Sequence, residues 1–272
     1  MQKGPDKGPF RIMTTYTLLT LGDSYTIGEG APIDDSYPYQ AVQLLRKARL
    51  PFLAPEIIAR TGWTTDELSG GIAGTQLLPA YDFVSLLIGV NNQYRGRSAE
   101  EYAGQFEDLL RQAIQFAGGQ TSRVFVLSIP DWGVSPFAAS QLPDAAGRDQ
   151  AQISREIDVF NHLAEKIATA SGIEFIDITR HSRMVMAPSS VSSASPSGLL
   201  ASSPVLSASP SGLSSPVLSA SATESSPSAS PSPSASAPPL FVADGLHPSG
   251  EQYRYWAERL VEKIKKALSS GD

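Results

Sequence analysis

The stretch Asp82-Phe83-Val84-Ser85-Leu86-Leu87-Ile88 reads as a strand that is apolar on both faces. Successive side chains of a strand point to opposite sides, so a strand with one wet face alternates polar and apolar residues. This one barely alternates, as expected where helices cover both faces of a parallel sheet. Short apolar runs like it recur through the chain at Tyr16–Leu21, Glu56–Ala59, Arg123–Ile129 (ended by Pro130) and Ile173–Ile178. Longer segments with helical periodicity separate them: Tyr37–Leu50, Ser98–Phe116, Asp149–Ala170 and, closing the chain, Ser249–Leu268. In the first, Ala41, Val42, Leu44 and Leu45 share one side, with Arg46, Lys47 and Arg49 opposite. Ser98 with Glu101, and Ser249 with Gln252, have the spacing of capping boxes. Strand–helix alternation of this kind predicts an α/β fold of three layers, α/β/α, around a five-stranded parallel sheet. Ligands of such sheets bind beyond the carboxyl ends of the strands. Ser24, Asn91 and Trp132 each follow a strand directly, which places them on that rim.

One region breaks the rhythm. Residues 187–237 are mostly Ser, Ala and Pro, with Glu224 the only charge and no aromatic side chain. The segment repeats itself: Ala194-Ser-Pro-Ser-Gly-Leu and Ser202-Ser-Pro-Val-Leu-Ser return as Ala208-Ser-Pro-Ser-Gly-Leu and Ser214-Ser-Pro-Val-Leu-Ser. Such a composition buries too little apolar surface to offset roughly 1–2 kcal/mol per residue of backbone ordering entropy. A disordered insertion is expected there, either inert or a glycosylated or partner-binding stalk. The domain reading is therefore a leader over residues 1–13, polar and broken by Gly and Pro, and a single domain over 14–272 interrupted by 187–237.

Composition excludes several function classes. A net charge of -6 without a basic stripe argues against nucleic acid as a partner. Cysteine is absent, which removes disulfides, thiolate nucleophiles and Cys-based metal sites. No run approaches the ~20 apolar residues that span a bilayer, and no signal-like segment precedes Ser24, so no membrane association and a cytoplasmic location are expected. No His/Asp/Glu cluster has metal-ligand spacing, and no Gly-Lys-Ser/Thr follows Ile27-Gly28-Glu29-Gly30. Neither a metal nor another cofactor is expected.

What the chain does offer is a serine that leaves a strand, Leu21-Gly22-Asp23-Ser24-Tyr25, and a distant Asp244-Gly245-Leu246-His247. An unassisted serine is a poor nucleophile and needs a base within hydrogen-bond reach and an orienter behind that base. His247 is the candidate base and Asp244 its orienter. The other two histidines are expected outside the site, His162 on a helix surface or in packing and His181 in solvent. Candidate donors for an oxyanion are the Ser24 N–H, the Gly62 N–H in Thr61-Gly62-Trp63-Thr64, and the Asn91 amide in Gly89-Val90-Asn91-Asn92. Trp63, Tyr94 and Trp132, with Phe137, lie on loops after strands and are candidate substrate contacts, core packing being the other reading of Trp132 and Phe137. The segment 130–147 is the expected specificity loop. Gly22-x-Ser24-x-Thr26 lacks the second glycine of a nucleophile elbow, which argues against an α/β-hydrolase fold.

Gly22-Asp23-Ser24-Tyr25, Gly62, Gly89-x-Asn91 and Asp244-x-x-His247, in that order and each after a strand, resemble the four motif blocks of the GDSL/SGNH hydrolase family. The resemblance implies a flavodoxin-like α/β/α fold and an esterase, lipase, thioesterase or carbohydrate O-deacetylase activity. It implies Ser24 as nucleophile and oxyanion donor, Gly62 and Asn91 completing the oxyanion hole, His247 as base and Asp244 as its orienter. The chain departs from the family pattern at Asn92, where an Asp is usual, and at Tyr25, where many members carry Leu. The expected function is hydrolysis of carboxylic esters, short-chain or acetyl, through an acyl-enzyme on a small-molecule ester substrate. An acyltransferase or thioesterase on the same triad stays open, as does a non-catalytic binding or scaffold protein.

Overall fold

The apolar strand over Phe83–Leu87 (β3) is buried along its whole length, because it lies in the middle of a five-stranded parallel sheet. The other strands are Leu18–Asp23 (β1), Glu56–Arg60 (β2), Val124–Leu127 (β4) and Glu174–Ile176 (β5), in the order β2-β1-β3-β4-β5. The structure, a computed structural model, describes residues 15–144, 146–186 and 240–270. The leader and the Ser/Pro/Ala tract expected from the sequence lie outside the described residues.

Helices in chain order are Ser24–Ile27 (α1), Tyr37–Lys47 (α2), Thr65–Ala73 (α3), Val90–Tyr94 (α4), Ala99–Phe116 (α5), Pro136–Gln141 (α6), Gln150–Ala170 (α7), Thr179–Met186 (α8) and Gly250–Ser270 (α9). From β1 the chain crosses through α2 to β2 on one side, then returns through α3 to β3 on the other. That reversal puts α2 on one face of the sheet, packed against α9, and α3, α5 and α7 on the opposite face. It also makes the β1/β3 boundary the topological switch point, the usual place for a ligand crevice.

Both faces are filled by large side chains with almost no exposure. Tyr37, Leu45, Tyr253 and Trp256 lie between α2 and α9, and Tyr102, Phe106, Leu109 and Phe160 lie between α5 and α7. Each fully buried large apolar side chain contributes about 1.5–3 kcal/mol.

Strand and helix ends differ from expectation by local chemistry. The first strand begins two residues late because Thr17 is tied to Asp82, its N–H and Oγ1 both donating to Oδ2, at 2.8 and 2.9 Å. It runs on to Asp23, which pairs with Arg60 of β2. At Ser98 the expected cap is present, its Oγ accepting from Glu101 N at 3.1 Å. At Ser249 the expected capping box does not form. Ser249 Oγ is buried without a partner among the described residues, and the Gln252 amide donates instead to the Leu240 carbonyl. The backbone there has another task, since Ser249 N also donates to Leu240 O at 2.9 Å and closes a small hairpin.

Candidate active site

Ser24 is the first residue of α1, directly after β1. Gly22 makes the tight turn possible, because a Cβ there would collide with Thr26 Oγ1 and the Leu87 carbonyl. Asp23 caps the short helix, its Oδ1 accepting from Tyr25 N at 3.0 Å, and Gly28 ends it in the left-handed region at φ 78°. The amides of a first helical turn have no intrahelical acceptor, so the N–H of Ser24 is open to a ligand. Ser24 is 6% exposed, and that exposure is to a cavity.

The base comes from the other end of the chain. His247 Nδ1 lies 2.6 Å from Asp244 Oδ2, and Asp244 Oδ1 accepts from the N–H groups of Leu246 and His247 at 2.7 and 2.9 Å. A carboxylate only accepts hydrogen bonds, so Nδ1 carries the proton and Nε2 is left as the basic atom. Burial would raise the Asp244 carboxyl, but the His247 imidazole and the two backbone donors outweigh it and hold it below the ordinary aspartate value. The hairpin that carries this pair closes on itself through Val242 N to His247 O at 3.0 Å and an antiparallel bridge between Phe241 and Pro248. Outside contacts fix it. Phe137 N donates to Gly245 O at 3.0 Å, and Gln40 Nε2 reaches Gly250 O at 2.8 Å. The imidazole rests against the ring of Tyr25, 5.6 Å between centroids, and Tyr25 packs in turn on Trp256.

The turns after β2 and β3 stand beside Ser24. Gly62 adopts φ 83°, a conformation that favours glycine. Asn91 Nδ2 donates to Trp63 O at 3.0 Å, which leaves its second amide hydrogen for a ligand. Gly89 precedes Asn91 at φ 129°, where a Cβ would strike the ring of Tyr102. The departure at Asn92 has a local explanation. Its side chain is fully buried, with Oδ1 accepting from Thr65 N at 3.1 Å and Nδ2 donating to Thr65 Oγ1 at 2.7 Å. Thr65 Oγ1 is then free to donate onward to Gln105. An amide supplies the donor that this chain of bonds requires and an ionised aspartate lacks.

Ser24, Tyr25, Thr61, Gly62, Val90, Asn91, Tyr94, Trp132, Phe137, Leu246 and His247 line one cavity of about 210 Å³. Of the expected substrate contacts, Tyr94 and Trp132 are there, their rings meeting edge to face at 5.5 Å. Trp132 is fixed by its Nε1 donating to Gln93 Oε1 at 2.8 Å. Trp63 is not among the lining residues. Its ring lies over Gly71 of α3, so closely that a Cβ on Gly71 would overlap it. Phe137, for which core packing was an equal reading, faces the cavity. Val90, Leu246 and Thr61 also line it; each adjoins a motif residue, and that adjacency was the available signal. His162 is exposed on α7. His181, expected in solvent, is half-buried and stacks on Tyr255 at 3.8 Å between centroids, and burial lowers its pKa. Among the described residues no group of three or more His, Asp or Glu side chains could hold a metal ion, and no helix is long and apolar enough to cross a membrane.

The model of the GDSL-like lipase/acylhydrolase family matches residues 20–197. No curated protein matches the chain in sequence. Among solved structures it is similar to the lipase/acylhydrolase from Enterococcus faecalis, at 17% identity and a TM-score of 0.54, over 92% of this chain and 96% of that one. Axe2, an acetylxylan esterase from Geobacillus stearothermophilus, is similar at 14% identity and a TM-score of 0.55, over 92% and 94% of the two chains. The psychrotrophic esterase EstA from Pseudoalteromonas sp. is similar at 12% identity and a TM-score of 0.54, over 93% and 99%. At such identities the likeness is one of fold.

Proposed function

The chain belongs to the GDSL-like lipase/acylhydrolase family, and from that premise we propose that it hydrolyses carboxylic esters with Ser24 as nucleophile, His247 as base and Asp244 as the base's orienter. The observation that carries the proposal is the 2.6 Å contact of Asp244 Oδ2 with His247 Nδ1, on a ring that shares one cavity with Ser24, Gly62 and Asn91. Ser24 Oγ attacks the ester carbonyl while its proton passes to His247 Nε2. The Ser24 and Gly62 N–H groups and the Asn91 amide take the oxyanion, each worth about 3–4 kcal/mol of transition-state stabilisation. Collapse of the tetrahedral species expels the alcohol, which leaves with the proton from His247. Water, deprotonated by the same imidazole, then attacks the acyl-serine and releases the acid.

Cavity size supports a short acyl group. About 210 Å³ is below the roughly 300–1,000 Å³ of pockets that hold drug-sized ligands. The walls beside the nucleophile are apolar: Val90, Tyr94, Trp132, Phe137 and Leu246.

A fluorophosphonate probe tests the nucleophile. It is expected to form one adduct, on Ser24, and Ser24→Ala is expected to lower p-nitrophenyl acetate turnover by more than about 10³-fold. An adduct elsewhere, or turnover retained in Ser24→Ala, overturns the assignment. Comparison of acetyl, butyryl and octanoyl esters tests the acyl size, with kcat/KM expected to fall at the longest chain.

A further inference from the structure

We propose that Arg95 is a positioning residue for the oxyanion site, holding the turn after β2 in the one conformation that aims the Gly62 N–H at the reacting carbonyl. The inference rests on the reading of Ser24, Gly62 and Asn91 as the acyl-transfer site. That reading supplies no role for Arg95, whose side chain is part-exposed on the rim.

The turn between β2 and α3 is closed on itself by one long backbone bond, Trp63 N to Arg60 O at 3.2 Å, and its seat on the rim is set by side chains. Glycine is also the residue most free to rotate, and the Gly62 N–H lies in the Thr61–Gly62 peptide, so its direction depends on where the Gly62 Cα and carbonyl are held. Three side chains from one short segment after β3 bind this turn. Arg95 Nη2 donates to Gly62 O at 2.6 Å, Asn91 Nδ2 to Trp63 O at 3.0 Å, and Asn92 Oδ1 accepts from Thr65 N at 3.1 Å. Only the Arg95 bond acts on Gly62 itself, and it is short and charge-assisted. With this carbonyl held, a turn about the Gly62 φ that re-aims its N–H would shift the carbonyl and break the bond.

The guanidinium is itself held from behind. Its Nη1 lies 3.1 and 3.2 Å from the two oxygens of Glu67. Glu67 Oε2 also accepts from Thr64 N at 2.9 Å and from Thr64 Oγ1 at 3.0 Å, in the capping box of α3. Arg95 therefore joins the cap of α3, the carbonyl of Gly62 and the end of α4 into one rigid unit. The pair is part-exposed on both sides, with 42% and 39% of the side chains accessible, and exposed ion pairs contribute little to stability. Losing Arg95 should thus spare the fold and disturb the site.

The test compares the wild type with Arg95→Met, which keeps an apolar stem, and Arg95→Lys, which keeps one charged donor. Turnover of p-nitrophenyl acetate, inhibition by methylboronic acid as a tetrahedral mimic, and the melting temperature are measured on the full chain. Arg95→Met is expected to lower kcat about 10- to 100-fold, less than the loss of a direct oxyanion donor, with KM within about twofold. Boronate inhibition should weaken by the same factor, the melting temperature should hold, and Arg95→Lys should recover part of both losses. Glu67→Gln, which loosens the guanidinium without touching Gly62, should show a smaller loss of the same kind. Wild-type kcat and boronate affinity in Arg95→Met overturn the proposal, as does a kcat loss that only follows a fall in melting temperature. Absence of both turnover and boronate binding in the wild type overturns the hydrolase reading, and this proposal with it.

Discussion

Asp23 sits one bond from Ser24 and has no exposure to solvent. One carboxyl oxygen caps α1, and the other has no hydrogen-bond partner among the described residues, like the nearby Thr26 Oγ1 and Tyr253 hydroxyl. Burial pushes the Asp23 carboxyl up to about 7, against the pull of the Tyr25 and Asp23 backbone amides. Among the described residues, Tyr25, Tyr37, Tyr102 and Tyr253 feel its charge, and they are phenols pushed upward themselves. An unfolded aspartate titrates near 3.8. Below that value both states are protonated and the residue contributes no pH dependence. Between about 4 and 7 the folded chain binds the extra proton, so stability falls as pH rises, and above 7 the full cost of a buried charge is present. Asp23→Asn keeps the capping oxygen and removes the charge. It is expected to raise the melting temperature over wild type at pH 8 and to give no gain at pH 4. Thermal melts at the two pH values decide it, since an equal difference at both would exclude charge as the cause.

At the scale of elements, the carboxyl ends of β4 and β5 are joined by one amide. Asn161 of α7 accepts from Ile129 N at 2.7 Å and donates to Ile129 O at 2.9 Å and Thr179 Oγ1 at 3.0 Å, all buried. Ser128 Oγ extends the knot by accepting from Ile178 N and Thr179 N. This knot supports the turn that carries Trp132 into the cavity. Asn161→Ala leaves the Ile129 amide buried without a partner, at a cost of about 1–3 kcal/mol. Denaturation in urea should show that loss as a lower midpoint with an unchanged slope, and an unchanged midpoint would show that the knot bears no stability. The signal for Asn161 was in the sequence, as a polar residue on the apolar stripe of Ile153, Ile157 and Phe160, but hydrophobic periodicity says nothing of which backbone groups need a partner. The four long helices α2, α5, α7 and α9 were legible nearly to their ends for the same reason that Asn161 was not: their positions follow from apolar spacing alone, which the short helices such as α4, α6 and α8 are too brief to display. Ser249 and Gln252 show the limit of motif spacing, because a hairpin closing from outside the helix took the Ser249 N–H and the Gln252 amide and left the Ser249 hydroxyl without a partner among the described residues. Trp63 shows another, since an aromatic after a strand turns to the cavity or to the next helix according to whether a glycine such as Gly71 leaves room.

At the scale of the molecule, the residues implied strands and a rim, but the order β2-β1-β3-β4-β5 depends on which way each crossover turns, and local composition does not encode that. The order brings the turns of β1, β2 and β3 side by side, and the site then needs only the hairpin over 240–249. In sequence that hairpin follows the Ser/Pro/Ala tract, which raised the question of what holds His247. Among the described residues its anchors are Phe137 N on Gly245 O, Gln40 on Gly250 O, and the Leu240 carbonyl taken by Ser249 N and Gln252. Closing a chain between two fixed ends costs entropy only as the logarithm of its length, about 0.6 kcal/mol per doubling, so shortening this connection should favour the closed hairpin slightly. Replacing 188–237 with a short Gly/Ser linker is therefore expected to keep kcat/KM for p-nitrophenyl acetate within about threefold, a change of roughly 0.6 kcal/mol in barrier. The melting temperature should stay level or rise. A tenfold or larger fall in kcat/KM at an unchanged melting temperature would mean that the tract takes part in setting His247, and that the anchors on Gly245, Gly250 and Leu240 do not suffice.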